Sequence, residues 1–190
     1  MPDVYAGATL LGYVKTEFSR GQQLSEILAH GDYSLPLLFF GLVRGSLGET
    51  STLALLAGGL WLIRQKVISW EIPVSILATV FVLASLFNLM EPERYPGPLL
   101  HIGSGGLMLL AFFIATDYVT CPNSPLGQVL FGVGCGVIVY VIRTWGAFPE
   151  GAGFAVLLMN AITPIIDHYV RPRIYGRDFR GRPLELEGRE

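Results

Sequence analysis

The sequence predicts an all-α, polytopic membrane protein with about five transmembrane helices and a short interfacial or re-entrant segment. Three observations predict it. Only 15% of the 190 residues are Asp, Glu, Lys or Arg, where a soluble domain carries about 25%. Hydrophobic residues make up 52%, and the mean hydropathy is +0.52. The charges are clustered, leaving uncharged runs at 50–63, 72–90, 95–116, 118–142 and 151–166. A soluble surface needs its ions spread over it. The pattern therefore argues against an ordinary cytosolic enzyme, a disordered chain or a secreted mini-protein.

A membrane-spanning helix needs about 20 mostly apolar residues. Three of the runs meet that length. The other two reach it if charges at their ends snorkel to the interface. The expected helices are 49–68, with Arg64 and Lys66 at its exit, then 71–90, 99–117, 125–143 and 151–169. The apolar run 35–43 is too brief to cross and is read as the interfacial or re-entrant piece. This divides the chain into an outer-face segment (1–48), a five-helix membrane domain (49–170) and a basic tail (171–190). The tail carries Arg171, Arg173, Arg177, Arg180, Arg182 and Arg189, which the positive-inside rule places in the cytoplasm. Counting back over five crossings puts Arg64 and Lys66 inside. Residues 1–48 and the loops 91–98 and 144–150 then lie outside, although Lys15, Arg20 and Arg44 run against that trend.

Some chemistries are disfavoured. The net charge of −2 gives no basic excess for nucleic acid. Cys121 and Cys135 are read as small packing residues. His30, His101 and His168 have no metal-ligand spacing, and no nucleophile–base order stands out, so neither a metal ligand nor a catalytic residue is assigned. Residues 1–12 hold an acid and no base, unlike a signal peptide.

Five stretches remain as candidates. Residues 3–9 (DVYAGAT) combine an acid, a slim backbone at Gly7 and Ala8, and the Thr9 hydroxyl; they read either as a plain turn or as a place where a modifying enzyme can reach a hydroxyl. In 45–52, Ser46 and Glu49 form a capping box opening the first helix. Four hydroxyls and two glycines there also suit a cofactor contact at a helix start. Asp117 closes 112–117 at a water boundary. Pro149 and Glu150 read as a helix start. Pro164 bends the last helix, and Asp167 is expected to pair with Arg171 or Arg173. Gly132 and Gly136, Gly58 and Gly59, and 103–106 read as close helix packing, with flat cofactor rings against bare backbone as the alternative.

Together these motifs resemble one membrane family, RnfD/NqrB. Its members are the large flavin-carrying membrane components of two bacterial complexes: the Rnf ferredoxin:NAD oxidoreductase and the sodium-translocating NADH:quinone reductase. The matching stretches are 3–9, 45–54, 112–117, 142–160 and 164–176, the last two closer to the Rnf member. The resemblance implies a flavin-carrying component of an ion-translocating electron-transport complex in the bacterial inner membrane. It implies FMN joined by a phosphoester to Thr9, with Asp3, Gly7 and Ala8 forming the motif read by a flavin transferase on the outer face. Ser46, Gly48, Glu49 and Thr50 are then expected to line the FMN pocket, and the full-length family arrangement adds riboflavin. The implied partners are the other membrane subunits, the flavin transferase and the lipid bilayer. Ala6 stands where Ser or Thr is usual, Tyr118 where Pro is common and Arg177 where His is common. Family members carry a further membrane half before the flavin motif, so the chain is expected to be a truncated or split C-terminal half. The competing expectations are a cofactor-free half of a small transporter and a structural docking subunit.

Overall fold

The computed structural model describes residues 10–19, 39–41 and 51–171. Among these residues every regular element is helical. In chain order they are α1 (Leu10–Ser19), α2 (Thr52–Arg64), α3 (Glu71–Met90), α4 (Pro98–Gly103), α5 (Leu107–Leu109), α6 (Pro125–Trp145) and α7 (Ala152–Tyr169). A π-helical segment, Leu110–Ile114, follows α5 directly. Of the short run 35–43, only 39–41 are described. Phe39 and Phe40 are helical, and Gly41 turns against Ser51.

Helix α3 forms the centre. Ile72, Ile76, Val80 and Ala84 recur every fourth residue and are fully buried along one face. That stripe meets Phe131, Cys135 and Val139 on α6, spaced the same way. The two helices approach to backbone contact because α6 has no side chains at the crossing. A Cβ on Gly132 would overlap Ser75 Oγ, and one on Gly136 would fall 2.8 Å from Thr79 Cβ. The G-x-x-x-G pattern is thus a packing surface. Gly59 does the same for α2, where a Cβ would run into the Phe112 ring. Helix α7 closes on the other side of α6 through Ala155, Val156 and Met159.

The local starts follow simple chemistry. Ser124 caps α6 by accepting from Gly127 N at 3.0 Å, and Pro125 fills the first turn, where a missing N–H costs nothing. Helix α2 is capped by Ser51, which accepts from Ala54 N at 3.3 Å. The expected capping box at Ser46 and Glu49 is therefore not the entry to this helix, and both residues lie outside those described. Helix α2 is also shorter than the expected 49–68. It ends at Arg64, and Lys66 reverses the chain with φ of 56°.

The third expected helix, 99–117, is not continuous. Helix α4 stops at Gly103, the chain turns through 104–106, and α5 restarts at Leu107. Gly105 has φ of +65°, a left-handed conformation that suits glycine. A charge-free run reports burial or lipid exposure, not continuity, so the break leaves no mark in the charge pattern.

Successive long elements run in opposite directions and give the bundle two ends. One holds 91–97 and 146–151; the other holds 65–70, 115–124 and Arg171. Helices α3 and α6 are long and apolar enough to cross a membrane.

Candidate functional site

The break between α4 and α5 leaves backbone groups without helical partners inside the bundle. In an apolar interior each such group must find a side chain. Arg143, near the end of α6, supplies most of the donors. Its Nη1 donates to His101 O at 2.7 Å and its Nη2 donates to Ser104 O at 3.1 Å. Nη2 also donates to Glu150 Oε1 at 2.6 Å, and the same oxygen accepts from Gly106 N at 3.1 Å. Thr52 Oγ1 donates to Gly103 O at 3.0 Å, and the Ser104 hydroxyl donates to Leu100 O. The Arg143 side chain is completely buried, whereas Glu150 is 25% exposed. Gly105 admits this pair, because a Cβ there would overlap Glu150 Oε1.

Glu150 is thus the anionic half of a clasp. The expected helix-start role for Pro149 and Glu150 is replaced, since α7 opens at Ala152 with Gly151 as its cap. Clasping a broken helix from a neighbouring helix's end ties α4, α5, α6 and the α6–α7 turn into one unit.

A cavity of about 340 Å³ opens beside the clasp. His101 and Arg143 form its floor, Tyr95 and Trp145 an aromatic wall, and Leu11, Val14 and Lys15 of α1 its rim. Arg94 and Thr144 also contribute, and among the described residues no carboxylate lines it. Helix α1 is seated here by two means. Leu11 and Val14, three apart, are buried. Lys15 Nζ donates to Ile142 O at 3.2 Å, Arg143 O at 3.2 Å and Phe148 O at 2.9 Å. These carbonyls include the unpaired end of α6, where a cation is favoured. Burial lowers the Lys15 pKa from its ordinary value, while the three carbonyls hold the ammonium in place.

Several polar atoms of the cavity floor are buried without hydrogen-bond partners among the described residues. They are both ring nitrogens of His101 and Nε of Arg143. His101 is 3% exposed, and its ring lies 5.4 Å from that of Tyr140. Buried donors and acceptors are normally satisfied; these three belong to residues that line the cavity but are themselves closed off from it, each with almost no accessible surface.

The opposite end is built differently. Asp167 does not pair with Arg171. Its carboxylate accepts from Asn123 N at 3.1 Å and Asn123 Nδ2 at 3.0 Å, and Arg171 Nε donates to His168 O at 3.2 Å. Arg173 lies outside the described residues. Asp117 is exposed and accepts from Thr120 Oγ1 at 3.2 Å. Pro164 lies inside α7 as expected. Cys135 is fully buried in the core and Cys121 half-buried; burial, then the Asp117 and Asp167 carboxylates, push the Cys121 thiol above its ordinary pKa.

The residues singled out for flavin attachment and pocket lining, Asp3, Gly7, Ala8, Thr9, Ser46, Gly48, Glu49 and Thr50, lie outside the described residues. Sequence reasoning missed the cavity floor, finding no ligand spacing for His101 and assigning Arg143 no role in a site. The available signal was a Ser-Gly-Gly interruption (104–106) inside an apolar run, together with an opposite-charge pair, Arg143 and Glu150, flanking a turn with Gly146 and Pro149.

Fold and site define a class: an all-helical bundle with two membrane-length apolar helices, a broken helix clasped by a buried ion pair, and a donor-lined cavity at one end. The chain belongs to the NQR2, RnfD, RnfE family, whose model matches residues 1–176. It is 52% identical over 184 residues to the D component of the ion-translocating oxidoreductase complex of Stutzerimonas stutzeri, covering 97% of this chain and 52% of that protein. It is 47% identical to the component of the same name from Halorhodospira halophila, with the same coverage. The Escherichia coli counterpart is 42% identical over 174 residues, covering 92% of this chain and 48% of its own length. The chain thus spans about half the length of these relatives.

Proposed function

We propose that this chain acts within a membrane-bound, ion-translocating oxidoreductase complex as its flavin-carrying component, of the Rnf ferredoxin:NAD type, with FMN held by a phosphoester on Thr9. The supporting observation is the seating of α1. Thr9 is bonded to Leu10, the first residue of α1, and Leu11 lines the cavity rim. The attachment residue is thus adjacent in chain to the helix that borders the cavity. The cavity is lined by the basic residues Lys15, Arg94 and Arg143 and by the Tyr95 and Trp145 rings, a lining that suits a flat ring carrying a phosphate. A bound flavin supplies the capacity to take up and release electrons. The protein's part is to hold it, exclude water and set its electrostatics. Here those tasks fall to Lys15, which fixes α1, and to the Arg143–Glu150 clasp, which fixes the floor.

In this reading α2, α3, the α4–α5 pair with its π-segment, α6 and α7 make five crossings of the bacterial inner membrane. The cavity end faces outward, with residues 1–48, while Arg64, Lys66 and the tail 171–190 face the cytoplasm. A flavin transferase acting outside the cell fits that orientation. Partners are the other membrane subunits of the complex. The test is Thr9→Ala in the purified complex, run on a denaturing gel under ultraviolet light. The wild-type chain should fluoresce and the variant should not. A band that survives the substitution rules out Thr9.

The broken helix favours a second reading, a cofactor-free carrier half, since transporters build sites at discontinuous helices. A colourless purified complex with solute uptake would favour it.

A further inference from the structure

We infer that the bundle end opposite the clasp seats the headgroup of an ethanolamine phospholipid from the adjoining leaflet, between Lys66 and Glu71. Such a site depends on α3 and α6 crossing a membrane and not on any flavin. A second cavity, of about 440 Å³, lies at that end and is lined from both the α2–α3 turn and the 115–124 loop. Its lining holds two opposite charges, Lys66 and Glu71. They do not pair with each other: among the described residues the ion pairs are Arg94–Glu91 and Arg143–Glu150. Helix α2 ends at Arg64, and the reversal at Lys66 brings that residue into the lining. Glu71 opens α3 and is half-buried; its Oε2 is closed off without a partner, which leaves Oε1 as the open oxygen. The neighbouring polar groups are already committed. Ser69 Oγ donates to Gln128 Oε1 at 2.8 Å, Gln128 Nε2 donates to Pro122 O at 3.1 Å, and Thr116 Oγ1 donates to Phe112 O at 2.8 Å. Lys66 and Glu71 are therefore the charges left to meet an occupant.

A ligand matched to both charges carries an anion and an N–H cation on one short frame. A phosphate joined to a primary ammonium fits: the phosphate accepts from Lys66 Nζ, and the ammonium donates to Glu71 Oε1. The surroundings make that frame a lipid's. Trp70 and Tyr118 line the cavity and are both exposed, and such rings mark the headgroup level of a membrane. From Trp70 an apolar stripe runs along α3 at helical spacing through Val74, Leu77 and Phe81, with Val74 and Phe81 exposed. An acyl chain joined to the seated headgroup lies along that stripe. The volume is in the range of small-ligand sites, about 300–1,000 Å³.

Cys121 lines the same cavity and is half-buried, so its alkylation reports occupancy in the unaltered protein. The experiment uses the purified complex, stripped of lipid in detergent, with Cys121 alkylation followed by peptide mapping as lipid is added back. Phosphatidylethanolamine should protect Cys121. Phosphatidylcholine with the same acyl chains has no N–H to donate, so half-protection should need about tenfold more of it, the loss of one charge-assisted hydrogen bond. Glu71→Gln should narrow the difference between the two lipids, and Lys66→Gln should raise the half-protecting concentration of both about tenfold. Without lipid, both variants should be alkylated at the wild-type rate. Equal protection by the two lipids in wild type, which no variant's folding affects, overturns the site, as does wild-type protection retained in both variants. Free phosphoethanolamine protecting at the same concentration as the lipid overturns the lipid as its occupant.

Discussion

Arg143→Met tests the clasp most severely. The substitution keeps an unbranched apolar stem but removes three hydrogen bonds, to His101 O, Ser104 O and Glu150 Oε1. Both carbonyls sit at the helix break, and the Glu150 carboxylate would keep only Gly106 N. Its other oxygen is already buried without a partner among the described residues. Removing one partner of a buried pair costs about 3–5 kcal/mol. For a chain of this size about 2–4 °C accompanies each kcal/mol, so the melting temperature should fall by about 6–20 °C. Glu150→Gln should cost less, about 1–3 kcal/mol, because Arg143 keeps both carbonyls and the amide oxygen can still accept from Gly106 N. Thermal unfolding of the detergent-purified protein, followed by tryptophan fluorescence, reads both. A fall of under about 2 °C for Arg143→Met would refute the reasoning, since a buried ion pair with three hydrogen bonds could not be lost without a larger change.

Gly132→Val places a Cβ where Ser75 Oγ now lies and should destabilise the α3–α6 crossing by about 1–3 kcal/mol; Gly153→Ala, in α7 with open space around it, should leave the melting temperature no lower than wild type. Lys15→Met removes the three carbonyl contacts that seat α1 and should speed chymotryptic cleavage within α1, while the cleavage pattern of α3 and α6 stays as in wild type. Cys121, with its thiol pushed up by burial and by Asp117 and Asp167, should react with maleimide more slowly than a free thiol at about pH 7 and speed up towards about pH 9 as thiolate forms. Cys135 should stay unlabelled until the protein unfolds; a pH-independent Cys121 rate would contradict the assignment.

Much of the architecture was legible in the residues. Charge-free length located α3, α6 and α7 to within a few positions, because an apolar run bounded by ions has few other folded solutions. The Gly132 and Gly136 spacing announced close packing, since only bare backbone lets two helices approach so far. The site was less legible. Arg143 reaches His101 and Glu150 reaches Gly106 across 42 and 44 residues of chain. Such pairings leave no periodic trace, and each residue read singly looks like a boundary charge or a helix cap. The break at 104–106 was hidden for the same reason: its satisfying partners lie on other elements. Helix α1 was passed over because its buried pair, Leu11 and Val14, is too brief a pattern to stand out beside membrane-length runs. The motif residues Thr9 and Ser46 to Thr50 carry the family resemblance but lie outside the described residues, next in chain to α1 and α2.

The central proposal is that a flavin phosphate is bonded to Thr9, the residue that precedes α1 in the chain. Peptide mapping by mass spectrometry of the native complex tests it most directly. The peptide containing Thr9 should be heavier by one FMN less one water, with fragment ions placing the addition on that hydroxyl. Recovery of the same peptide bare from a complex whose flavin transferase is present and active would contradict the account.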